Sequence, residues 1–117
     1  MITRSLFLAI ATAATLGLMQ TGAGAQSTTT TAAPVVVHIK NFAYDAATVT
    51  IKPGDTVQFV NDDSTPHTVT ATDKSFDSGN MDQNAKWSHT FKDAGTYAYI
   101  CTYHTYMKGT VVVKAAQ

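Results

Sequence analysis

At 117 residues, the chain is long enough for one small domain with a single core and too short for two. Its 8 Lys and Arg balance 8 Asp and Glu, so it carries no charge excess that would favour nucleic acid or an anionic membrane. A single Cys excludes an internal disulfide framework.

Residues 1–25 read as an export signal. Arg4 supplies the positive start, Leu6 to Met19 an apolar stretch interrupted by Thr and Gly, and Ala23-Gly24-Ala25 a small-residue cleavage site. The apolar run is shorter than the ~20 residues a spanning helix needs, and no Cys follows it to carry a lipid. The expectation is an exported monomer without stable membrane insertion, periplasmic in a bacterium, with secretion as the variant. Cleavage would leave seven Lys against eight Asp, with no Arg and no Glu. Residues 26–33, mostly Thr and Ala, read as a flexible leader that cannot bury a core.

Residues 34–117 form the expected domain, and its pattern is β. Val35 to Lys40, Thr48 to Ile51, Thr56 to Asn61, His67 to Ala71, Trp87 to Phe91, Thr96 to Cys101 and Thr110 to Lys114 are short runs rich in Val, Thr, Ile and aromatics. Turn residues such as Lys52-Pro53-Gly54-Asp55 and Lys92-Asp93-Ala94-Gly95 separate them. Seven short strands at this spacing predict an all-β, two-sheet Greek-key β-sandwich. No stretch has helical periodicity. Alternation puts Trp87, His89 and Phe91 on one face and Tyr97, Tyr99 and Cys101 on another, so Cys101 would end a packed aromatic column. Tyr97, two residues after Gly95, stands where sandwiches place a corner tyrosine bonded to backbone. Residues 74–86 read as a surface connection, from which Phe76 or Met81 would be the residue to cover one end of the sandwich.

The chemistry concentrates near the C-terminus, in Cys101-Thr102-Tyr103-His104-Thr105-Tyr106-Met107. Three donors spaced three apart cannot all project inward from one strand. They converge if Cys101 ends a strand and the following residues loop around a point. Thiolate and thioether favour copper, and two His with one Cys and a weak axial Met is the blue-copper arrangement. The second His is best supplied by His67, after Pro66 and between two strand-like runs. An odd thiol in an exported chain also calls for an explanation, which metal ligation provides. His38 shares its face with Lys40 and is expected at the surface, while His89 is expected to be a hydrogen-bonded core histidine. A nucleophilic Cys101 lacks a visible third orienting group, and a thioether argues against zinc.

The run from Gly95 to Val113 resembles the cupredoxins, as do Lys52-Pro53-Gly54-Asp55-Thr56-Val57, Asn61 and Pro66-His67. The equal spacing from Cys to His and from His to Met is similar to the amicyanin group. The resemblance covers about Pro34 to Lys114. It implies a type 1 copper protein that is no enzyme and carries single electrons between Cu(I) and Cu(II), with His67, Cys101, His104 and Met107 as metal residues. It further implies that His104 is the electron port, within an apolar surround of Pro66, Tyr103, Tyr106 and Met107, and can leave Cu(I) to take a proton at low pH. Partners of the group are redox proteins, a donor dehydrogenase and a cytochrome acceptor. The same fold would serve an alternative role as a periplasmic copper carrier or buffer. Two residues depart from the group: Thr68 stands where Asn is usual, and Tyr103 where Pro is common between Cys and His.

Overall fold

A computed structural model describes residues 32–115; the residues read as export signal and nearly all of those read as leader lie outside it. Eight strands follow one another: β1 (Val35–Lys40), β2 (Ala43–Asp45), β3 (Thr48–Ile51), β4 (Thr56–Asn61), β5 (Thr70–Ala71), β6 (Lys86–Thr90), β7 (Gly95–Ile100) and β8 (Lys108–Val113). They form two four-stranded sheets, in the orders β2-β1-β4-β6 and β3-β8-β7-β5. The pairs β1/β4 and β3/β8 are parallel, which requires crossover connections between the sheets. No helix among the described residues is long and apolar enough to cross a membrane.

Alternation sets the core. In β1, Val37 and Ile39 are buried while Val36, His38 and Lys40 face out. In β4, Val57, Phe59 and Asn61 point inward, and in β8 Gly109, Val111 and Val113 do. Each such aliphatic or aromatic burial contributes roughly 1.5–3 kcal/mol. Tyr99 sits fully buried at the centre, with its ring edge-on to Tyr44 and Phe59 at 4.8 and 5.3 Å. Opposite it in the β7/β8 register lies Gly109.

The sequence expectations hold for β1, β3 and β4 to the residue, and for β6, β7 and β8 within two residues. Two differ. The run from His67 to Ala71 contributes only Thr70 and Ala71 to a strand, because His67 pairs instead with Met81 in an isolated bridge. And β2 is an additional strand, joined to β1 by a two-residue turn, Asn41-Phe42, in which both residues are left-handed (φ 53° and 56°). Phe is rarely tolerated there, so the turn lacks the Gly that usually announces a hairpin.

Tyr97 is the corner tyrosine, its hydroxyl donating to Asp93 O at 2.8 Å. His38 is exposed, as expected, with Nδ1 2.7 Å from Asp62 Oδ2. His89 differs in part: it is half-buried among Phe76, Trp87 and Phe91, and among the described residues its ring rests on these aromatics instead of on a hydrogen bond. Desolvation holds its pKa below the usual His value. The folded state therefore favours the neutral ring, and as pH falls through the ordinary His range the unfolded chain binds the proton first. Stability from this group is complete above that range and declines as pH drops towards the lower folded value. Thermal unfolding midpoints between about pH 8 and about pH 5 should fall less steeply in His89→Phe than in the parent; equal slopes would assign the acid sensitivity elsewhere.

Candidate metal centre

One end of the sandwich collects the chemistry. Strand β7 ends at Ile100 and delivers Cys101, β4 ends at Asn61, and β5 begins three residues after His67. The chain after Cys101 then turns back on itself: His104 N donates to Cys101 O (3.2 Å), Met107 N to His104 O (2.8 Å) and Cys101 N to Met107 O (3.2 Å). This double turn makes the equal spacing work, since each turn returns the next donor to the same point. Cys101 and Met107 are buried and His104 is half-buried.

His67 comes from the other sheet connection and is fully buried. Asn61, also buried, presets it: its Nδ2 donates to Thr65 O and Met81 O at 3.0 and 2.9 Å, and its Oδ1 accepts from Asp63 N at 3.0 Å. Main-chain bonds between His67 and Met81 in both directions, 3.1 and 2.8 Å, complete the frame. Met81 thus reaches the site's end of the sandwich, whereas Phe76 packs in the core against Trp87, Phe91 and Tyr99.

Donor atoms of His67, Cys101 and His104 all lie within 4.8 Å of one another. Nδ1 of His67 is 3.7 Å, and Nδ1 of His104 3.6 Å, from Cys101 Sγ. A metal ion with N and S bonds of about 2.0 and 2.3 Å, opened to about 120°, separates its ligands by about 3.7 Å. The three side chains therefore stand at the separation that a shared ion requires. With Met107 beside them, the set fits a type 1 copper site.

Two partners were not legible beforehand. Asp63 Oδ2 is 2.8 Å from His67 Nε2, so that nitrogen carries the proton and Nδ1 faces the thiol with a free lone pair. The same carboxylate accepts Asn41 N at 2.8 Å and Phe42 N at 3.0 Å. Burial opposes its charge, but the Phe42 and Asn41 amides and the His67 ring outweigh that and hold its carboxyl below the usual range. Its only sequence signal is a carboxylate four residues before a candidate ligand, inside a turn-rich run. Phe42 is the other, its ring edge-on to both His67 and His104 at 5.3 and 5.0 Å.

Thr68, which stands where the group usually has Asn, ties the segment after His67 to the segment after Cys101. Its N–H points at Cys101 Sγ (3.4 Å), its Oγ1 accepts Thr102 N (2.9 Å), and its carbonyl accepts the Tyr44 hydroxyl (2.6 Å). Burial, then the neighbouring Cys101 and Tyr99, push the Tyr44 hydroxyl well above its usual range, so it remains a donor. Tyr103 is exposed and donates to Asn80 Oδ1 at 3.0 Å.

A two-sheet β-sandwich with a cysteine sulfur, two imidazoles and a thioether at one end defines a protein built around one soft metal ion. The cupredoxin-like domain model matches residues 7–113. Amicyanin of Paracoccus versutus is 36% identical across 91% of this chain and 93% of its own length. A solved structure of the Cu(I) form of an amicyanin variant superposes with a TM-score of 0.66 at 36% identity, covering 69% of this chain and 82% of that one. A copper-containing nitrite reductase from Thermus scotoductus superposes with a TM-score of 0.68 at 28% identity, but the match spans only 23% of that chain. The chain belongs to the cupredoxin-like family, close to amicyanin.

Proposed function

We propose that this chain is an exported one-electron carrier in which His67, Cys101, His104 and Met107 hold a single copper ion. The observation that carries this reading is the convergence of one thiol and two imidazoles from separate chain segments at ligand spacing. When bound, copper supplies the Cu(I)/Cu(II) couple. The protein's residues do the rest. Cys101 gives a soft donor shielded from water, Asp63 fixes the proton and orientation of His67, and the closed double turn presents His104 and Met107 together.

Burial of Cys101, His67 and Met107 supports carriage over catalysis, because a catalytic metal site keeps an open position for substrate. Electrons would pass at His104. Around it Phe42, Tyr103 and Tyr106 are exposed, and Tyr106 lies 6.1 Å from the His104 ring. Such an apolar rim suits brief docking by other redox proteins over a small interface. The amicyanin likeness favours a dehydrogenase as donor and a cytochrome as acceptor, and residues 1–25 as a signal that places the domain in the periplasm.

Absorption and EPR spectra of the protein after Cu(II) addition test the function. An intense thiolate-to-copper band, bleached reversibly by a mild reductant and lost in Cys101→Ser, is the expected result. A folded protein that takes up Cu(II) without that band would overturn the ligand set.

A further inference from the structure

The connection between β5 and β6 touches both ligand-bearing segments through two adjacent residues. The main chain of Met81 bonds His67 in both directions, at 3.1 and 2.8 Å. The side chain of its neighbour Asn80 reaches the other segment, where Tyr103 Oη donates to Asn80 Oδ1 at 3.0 Å. Tyr103 stands between Cys101 and His104. One short stretch therefore holds the His67 segment by backbone and the 101–107 loop by side chain.

Donors and acceptors agree along this contact. Asn80 Nδ2 donates to Asp82 Oδ1 at 2.9 Å, which turns the amide so that its oxygen faces Tyr103. The phenol gives its one proton to that oxygen, and no group is asked to donate twice. The anchor is also firm. Asn61 Nδ2 donates to Met81 O at 2.9 Å, Asn84 N to Asn61 O at 2.7 Å and Ala85 N to Asp82 O at 2.9 Å, so the stretch after Asn80 is tied to the end of β4. On the loop side, Thr102 N already bonds Thr68. Among the described residues, Tyr103 then makes the last hydrogen bond to another segment before the chain rejoins β7 through Lys108. His104 and Met107 lie between those two points, held by main-chain bonds of their own double turn.

We propose that Asn80 is a positioning residue for the metal centre, and that its bond to Tyr103 is a latch on the ligand loop. With the latch closed, the loop that presents Cys101, His104 and Met107 is fixed against the stretch that frames His67. With it open, the double turn is free to lift from the His67 side. A metal ion held by both segments leaves only when they separate, so the latch slows its departure. That effect rests on the copper reading above; the latch itself does not.

The test uses Tyr103→Phe, which removes only the hydroxyl, Asn80→Ala and their double variant. Two rates are measured: solvent exchange of the His104 and Met107 amides by NMR of the metal-free protein, and transfer of copper from the loaded protein to excess chelator. Tyr103 is exposed, so water competes for the bond and its net worth lies at the low end for a hydrogen bond. Each single variant should speed exchange at both amides about 2- to 5-fold and copper transfer by a similar factor. Amides of the β1/β4 pair should keep the parent rates. The double variant should go no further than either single, because both break one bond. Parent-like exchange at His104 and Met107 in Tyr103→Phe, additive effects in the double variant, or equal acceleration in the β1/β4 pair would overturn the latch. Faster exchange with parent-like copper transfer would overturn its role at the metal. If the parent protein gives no thiolate-to-copper band, the copper reading fails and the metal-free exchange still decides the latch. If the band is present and the amides do not respond, the latch alone fails.

Discussion

Asp63→Ala is expected to weaken copper binding by about 10–100-fold, the usual cost of losing the residue that orients a ligating imidazole. Three donors converge on this one carboxylate: the His67 ring and the amides of Asn41 and Phe42. Removing it frees His67 to adopt the tautomer that protonates Nδ1, the nitrogen facing Cys101. It also leaves the left-handed Phe42 turn without its anchor, and each residue held in such a conformation costs of order 1–3 kcal/mol. The Phe42 ring that contacts both imidazoles should then lose its fixed place. Asp63→Asn, which can still accept a hydrogen bond but carries no charge, should fall between the parent and the Ala variant. Competition titration against a chelator of known affinity, on protein shown to be folded, measures the loss. An Ala variant that binds copper as tightly as the parent would show that packing alone orients His67.

The second large effect falls on stability. A Cβ added at Gly109 would stand 2.2 Å from Tyr99 Cζ and 2.4 Å from Cε2, far inside contact distance. Tyr99 cannot yield easily, because it is fully buried with Tyr44 and Phe59 against its ring. Gly109→Ala therefore either displaces the central aromatic or separates β7 from β8. Overpacking of this kind costs about 1–3 kcal/mol, occasionally more, out of the 5–15 kcal/mol that is typical of a whole domain. A denaturant midpoint well below the parent's, with unchanged slope, is the expected result. A midpoint equal to the parent's would mean that the strand pair absorbs the methyl by a small slide, and that Tyr99 packs less tightly than its contacts imply. Since Tyr99 and Cys101 share one face of the chain, copper spectra of the variant would also report how far the disturbance travels.

The legible part of the molecule was the part written in periods. Two-residue alternation announced the sandwich, and the repeated spacing of Cys101, His104 and Met107 announced a turn around a point, which the main-chain bonds of that segment form. His67 was readable because a His after Pro between strands has few bland explanations. What was not legible depends on contacts between distant segments. Asp63 looks like any carboxylate in a turn until Asn41 and Phe42, more than twenty residues earlier, are folded onto it. Strand β2 was hidden because its turn uses Asn-Phe where a Gly would have advertised it. Thr68 read as a departure from the group, and only the position of Thr102 shows that a hydroxyl can make the tie. His89 was placed on the correct face, yet its neighbours are rings and not a polar partner.

The distance along the chain between the ligands has a topological consequence. Cys101, His104 and Met107 are local to one turn, but His67 stands 34 residues before Cys101. Bound copper would join these segments as a cross-link does, closing a long loop in a protein whose single Cys leaves it no disulfide to do so. Any ion retained by the disordered chain would restrict its freedom, and any ion held only by the folded form would draw the equilibrium towards that form by mass action. The electron-carrying group would in this way double as the staple of a small domain.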